Sequence, residues 1–337
     1  MRRPGQVTWR LTRALLRRRE ASICLVAILL LAYFAISTPR FLTEPNVREL
    51  VEYGAAPALM ASGEVMLLVC GEIDLSVGNV YAFSAWIMYF AVGTHMPLVL
   101  ALVLGLLASA AVGLVNGIAT VFVGVPSFIT TLAMLFVLNG IVLVASGGYP
   151  VVPPGGPTFQ AVLGLYPFSA FYWAIGIVAV LQLVLTSTRW GVYTVATGSN
   201  LLGSAESGVN VRAVKIGNFV LCSLLGGFAG ILDSFRLTTI DPLQGGTAIM
   251  FTAVAAAVIG GTSLLGGSGT IAGAVIGVAV LSMLNDGFTM LGVNAYWFDF
   301  VQGLAIFAAV VINLQVQRKR KMNLRVLLRK FGVGVGA

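Results

Sequence analysis

The chain has 337 residues, of which 58% are hydrophobic and 9% charged, with 40 glycines and a mean hydropathy of +0.96. A soluble domain cannot cover that much apolar surface, whereas glycine is tolerated in membrane helices because small residues let backbones approach. The formal charge of +8 does not point to a nucleic-acid groove: the basic residues cluster at the two ends beside apolar runs, the pattern of membrane orientation and anionic lipid.

An all-α polytopic membrane protein is therefore expected. Arg2, Arg3, Arg10, Arg13 and Arg17 to Arg19 precede the apolar run 23–36, and no small-x-small cleavage site follows it. Residues 1–20 read as a basic cytoplasmic segment on the inner leaflet and the run as an uncleaved first span. A span needs about 20 residues, and about ten fit: 21–37, 52–70, 78–93, 98–122, 127–145, 168–187, 214–236, 248–264, 269–287 and 296–314. This gives a transmembrane domain at 21–315 and a second basic cytoplasmic segment at 316–337. With both termini cytoplasmic, all the basic residues fall inside except Arg40, Arg48 and Arg236. That asymmetry is what the positive-inside rule requires.

The stretch 61–79 concentrates acids, Glu64, Glu72 and Asp74, and no further charged residue follows until Arg189. A charge at membrane depth is costly unless it faces protein, water or a partner. Gly71 and Gly78 bracket a helix break, which is tolerated at depth only where protein or a cavity covers it. Two readings are open. Asp74 and Ser76 cap a helix starting near Val77, with Glu72 in a cytoplasmic turn; or the acids line or gate a pathway.

Further along, Asn116 is either an interhelical hydrogen-bonding group or a pathway group. Pro126 follows a short turn, where Ser127 and Thr130 can satisfy the carbonyls it frees. The Pro- and Gly-rich loop 146–167 cannot be one continuous helix and reads as a lid, a docking surface or a connector. In the cytoplasmic loop 188–213, a short helix flanked by Gly198 and Gly208 would project with Asn200 and Glu206. Arg236 and Asp241, in the external loop 236–247, are expected to be exposed charges suited to docking a soluble partner. The glycine-rich 258–277 is no phosphate loop, because no Lys follows its glycines; a tight turn with close helix packing is the alternative. Asn285, Asp286 and Asp299 fall at the outer ends of spans nine and ten with Tyr296 and Trp297, as interfacial anchors or as part of a vestibule. Cys24, Cys70 and Cys222 lack CxxC spacing and read as small buried hydrophobes.

Four ordered motifs carry a resemblance. GEIDLSVG at 71–78 resembles the GGIDLSVG signature of ribose-type monosaccharide permeases, the membrane subunits of ATP-binding cassette (ABC) sugar importers, with Glu72 in place of a glycine. Asn116–Gly117 followed by Pro126, Phe128, Ile129, Thr131, Leu132 and Met134 matches the same family. So does GGTSLLGGSGTIAG at 260–273. The family's ATPase-coupling loop is matched at Ala196, Gly198, Asn200, Ala205, Ser207 and Gly208, with Glu206 inside it.

The resemblance implies a permease subunit of a bacterial inner membrane that passes a monosaccharide inward by alternating access. Its implied partners are a cytoplasmic ATPase that binds ATP and Mg, an external sugar-binding protein, and a second permease copy or a paralogue. The chain itself would hold no cofactor and no metal. It has no Walker A motif and no Ser/His/Asp set, so no catalysis is expected of it. Pathway or gate candidates are Glu64, Glu72, Asp74, Ser76, Asn116, Pro126, Phe128, Thr131, Asn285, Asp286 and Asp299. Two alternatives stand beside this reading: an ion-coupled secondary transporter using Glu64, Glu72 or Asp74, and an ABC permease for a nucleoside or a branched-chain amino acid.

Overall fold

The computed structural model describes residues 19–294, 296–308 and 311. The terminal basic segments expected at 1–20 and 316–337 lie almost wholly outside these residues, as does the end of the tenth expected span. In chain order the helices are α1 (Arg19–Ser37), α2 (Glu44–Val69), α3 (Val77–Gly93) and α4 (Leu98–Ile118), which runs on through a π-helical turn, Ala119–Val123. After them come α5 (Ser127–Ser146), the short α6 (Pro157–Gln160) with a second π-helical turn, Ala161–Leu165, and α7 (Ser169–Ser187). Then follow α8 (Arg189–Ser199), α9 (Leu201–Glu206), α10 (Val211–Arg236), α11 (Gly246–Ile259), α12 (Ile271–Met290) and α13 (296–308). An isolated antiparallel bridge, Val151 with Ile240, ties the 146–167 loop to the loop after α10.

Sequence explains where these helices begin. Thr188, Asn200, Asn210 and Thr270 each accept the backbone N–H three residues on, opening α8, α9, α10 and α12. Such caps satisfy amides that the first helical turn leaves without partners. Proline opens α2 at its first turn and stands just before α5, where its missing N–H costs nothing.

Within the described residues a helix lies on each of the ten expected runs; two bounds differ, and one loop is largely helical. The second begins at Glu44, earlier than expected, because Thr43 and Pro45 start it outside the apolar stretch. The eighth, expected to reach 264, stops at Ile259 where Gly260 and Gly261 turn the chain. The loop 188–213 is mostly helical, split into α8 and α9 at Asn200.

Among the described residues, five helices are long and apolar enough to cross a membrane: α4 with its π-helical turn, α5, α7, α10 and α12. α11 has only 14 residues, about 21 Å of rise against a hydrocarbon core of about 30 Å. α3 and α11 meet at their N-termini, where Gly78 lies on the Gly246 carbonyl so closely that a Cβ at Gly78 would overlap it. Only glycine permits that approach.

Burial separates centre from rim. α4, α5 and α7 bury between 22% and 28% of their most apolar stretches, and α10 buries 67%. α10 is the spine, packed against α2, α3 and α4, while α12 joins α2 to α11. The core between them holds Leu59, Met60, Phe219, Ile231 and the alanines 255 to 257.

Candidate functional site

Between α2 and α3 the chain leaves the helix at Cys70 and re-enters it at Val77. The intervening segment lies along α10. Glu72 pairs with Lys215, Asp74 Oδ2 accepts the Ser223 hydroxyl at 3.0 Å, Val77 packs on Gly226, and the Tyr81 carbonyl lies on Gly230. From Lys215 to Gly226, α10 rises about 16 Å at 1.5 Å per residue. Beside it the chain is non-helical from Glu72 to Asp74 and turns at Leu75 and Ser76 before α3 begins. Glu72 follows directly on the turn at 70–71, and its carboxylate is held against the spine by Lys215.

The capping reading of Asp74 needs correction. Its Oδ1 accepts the Ser76 N–H at 2.8 Å and the Ser76 hydroxyl at 2.6 Å, closing the turn that precedes α3. No side chain caps α3 itself. The Ser76 hydroxyl in turn accepts Asn116 Nδ2 of α4 at 2.9 Å. Asp74, Ser76, Asn116 and Ser223 are all buried, so hydrogen bonds from three neighbours replace the water the carboxylate has lost. Beside this group, Glu64 Oε1 accepts the Cys222 thiol at 3.6 Å. Glu64 Oε2 and Asn116 Oδ1 have no partner among the described residues.

The other pathway candidates scatter. Ile73 N–H reaches the Ser127 hydroxyl at 3.4 Å, bringing the start of α5 to the break. Thr131 donates to the Ser127 carbonyl at 2.8 Å within α5. Pro126 sits at the exposed start of that helix, and Phe128 is exposed on it. Asn285 donates to the Tyr53 hydroxyl at 3.2 Å and Asp286 accepts Asn46 at 2.8 Å; both tie α12 to α2, away from Asp74. Asp299 is exposed on α13.

At the end of α10 farthest from α8 and α9 lies a cluster that sequence reasoning missed. Asp233 accepts Arg236 Nε at 2.6 Å and the Tyr81 hydroxyl, and Arg236 also meets Glu49 Oε1 at 3.5 Å. The Arg236 side chain is only 8% exposed. The expectation that Arg236 is a free docking charge is thus corrected: an acid one turn earlier neutralises it and buries it. The signal was present as a lone Asp three residues before an Arg in an apolar helix. Asp241 is half-buried and accepts the Leu243 N–H at 2.9 Å, fixing its own loop.

The opposite end carries the 188–213 segment. Trp190 Nε1 donates to Asn218 Oδ1 at 2.9 Å, and Asn218 Nδ2 reaches Thr194 at 3.2 Å, fastening α8 to α10. Gly198 lies against the Val69 carbonyl so tightly that a Cβ would overlap it. Gly267 N–H donates to the same carbonyl at 2.8 Å. α8 thus rests on the last residue of α2, immediately before the break. Ala196 accepts the Asn200 N–H at 3.0 Å and Asn200 caps α9, while Ala205, Glu206, Ser207 and Gly208 are exposed at the tip.

The fold defines a multi-pass helical membrane protein with α8 seated on the break between α2 and α3. A family model described as "Branched-chain amino acid transport system / permease component" matches residues 47–310. The xylose/arabinose import permease protein XylH of Sulfolobus acidocaldarius is 37% identical, covering 90% of this chain and 86% of that protein. The ribose import permease protein RbsC of Escherichia coli K12 is 32% identical, covering 91% and 96%. The autoinducer 2 import system permease protein LsrC of Escherichia coli O9:H4 is also 32% identical, covering 91% and 90%. The chain belongs to this family of import permeases. No solved structure matches it.

Proposed function

We propose that this chain is the membrane-spanning subunit of an ATP-driven importer that passes a monosaccharide inward by alternating access. The relatives named for xylose/arabinose and ribose import support the sugar, and the four motifs run the same way. In this reading the protein has ten spans in a bacterial inner membrane, with both termini and the α8–α9 pair on the cytoplasmic side. A cytoplasmic ATPase holds ATP and Mg and pushes on the exposed tip at Ala205 to Gly208. A sugar-binding protein delivers the solute from outside, and a second copy or a paralogue completes the pathway.

One observation carries the mechanism: α8 rests through Gly198 on the Val69 carbonyl, one residue before the chain leaves its helix. A push on α8 has a short route to the non-helical segment and from there to Asp74. That segment is the element expected to shift, because non-helical backbone held by side chains moves more readily than a packed helix. The test is reconstitution of the chain with its ATPase and binding protein in proteoliposomes, following radiolabelled xylose, arabinose and ribose. ATP-dependent uptake of one of them is expected. Uptake driven by an ion gradient without ATP would overturn the proposal.

A further inference from the structure

Between α3, α5 and the loop before α11 lies a notch of about 50 Å³. Asn79, Asn139 and Gln244 supply its polar lining, and no ionised side chain lines it. We infer that this notch is where a neutral polyhydroxylated solute touches the permease in transit, an inference that rests on the importer reading above.

Three observations converge on it. First, Asn139 stands exposed within α5, a helix that is otherwise strongly apolar. A side-chain amide facing hydrocarbon has nothing to bond, so this strip of α5 borders water or protein instead. Second, Gln244 lines the notch, and its buried Oε1 has no partner among the described residues. The Gln244 amide nitrogen sits 3.5 Å from Asp233 Oδ2, which turns the oxygen away from the ion pair. Third, Asn79 is buried at the start of α3 and is anchored there by donating to the Leu135 carbonyl at 2.8 Å.

The chemistry selects the solute. An amide offers both a donor and an acceptor, the complement of a hydroxyl, whereas a zwitterionic amino acid would need charged groups of both signs. Size sets the strength. A water takes about 30 Å³ of liquid volume, so the notch takes one or two hydroxyls at an edge of a sugar ring and gives passing contact, not tight binding. The larger cavity between α2, α7 and α12, about 170 Å³, is lined by Leu50, Phe171, Val275 and similar residues with Ser282 as its one polar side chain. It offers a polyol nothing.

The test uses the assembled transporter in proteoliposomes, with D-xylose, D-ribose and L-leucine as probes. Asn139→Leu and Gln244→Leu are expected to cut ATP-driven pentose uptake about tenfold, the loss of one hydrogen bond, with unchanged recovery of the permease–ATPase complex. Asn139→Gln, which keeps the amide, is expected to restore most of it. In addition, Asn139→Cys in a variant with the native cysteines replaced is expected to react with a membrane-impermeant thiol reagent and to be protected by pentose. Pentose uptake by Asn139→Leu within about twofold of the parent protein would overturn the inference alone. A parent protein that carries leucine and no pentose would overturn the importer-of-sugar reading itself.

Discussion

The two ends of α10 hold the interrupted α2–α3 segment differently. At the α8–α9 end one ion pair, Lys215 with Glu72, does the work, and the lysine keeps 19% of its side chain exposed. At the other end Asp233, Arg236, Tyr81 and Glu49 form a four-member cluster with Asp233 and Tyr81 buried. The difference teaches where the segment can move. A lone lysine can swing its ammonium to water when its partner leaves, while the buried Asp233 cannot be lost without stranding Arg236 and Tyr81. In the proposed mechanism the segment would hinge near Tyr81 and release near Glu72, at the end where the ATPase is proposed to push.

Substitutions can break or sharpen that contrast. The largest effect is expected from Asp233→Ala, which strands Arg236 and the Tyr81 hydroxyl; about 3–5 kcal/mol of stability should be lost, read as a large drop in melting temperature in lipid nanodiscs. Next is Gly198→Val, which overpacks α8 against Val69. It should cost about 1–3 kcal/mol and uncouple ATP hydrolysis from uptake while the ATPase still co-purifies. Glu72→Ala should follow, costing less than Asp233→Ala because Lys215 can turn its ammonium to water, and a melting shift as large as that of Asp233→Ala would erase the distinction between the two ends. The smallest is Arg48→Ala. Its pair with Glu52 is 44% exposed on the arginine side, so the melting temperature should change by no more than about 0.5 kcal/mol implies.

Much of this architecture could be read from the sequence. Apolar runs locate the helices, and the glycines around GEIDLSVG mark the break. What the sequence withheld is contact between distant residues. Nothing local announces that Glu72 pairs with Lys215, 143 positions away. Arg236 looks like a docking charge because its loop is polar; Tyr81, 152 positions from Asp233, completes the cluster that buries it. The notch is illegible for the same reason, since Asn79, Asn139 and Gln244 come from three separate elements. Asn285 and Asp286 read as anchors or vestibule groups by composition, and their bonds to Tyr53 and Asn46, which fasten α12 to α2, are contacts of the same long-range kind.

The central claim is that the segment between Cys70 and Val77 must part from α10 at the Lys215 end for solute to pass. Its most direct test places cysteines at Glu72 and Lys215, with Cys24, Cys70 and Cys222 replaced by alanine, and bridges them with a short bifunctional thiol reagent in the reconstituted transporter. The account predicts that uptake stops while the bridge is in place and returns when it is reduced, with the ATPase attached throughout. Full uptake with the bridge intact would contradict it.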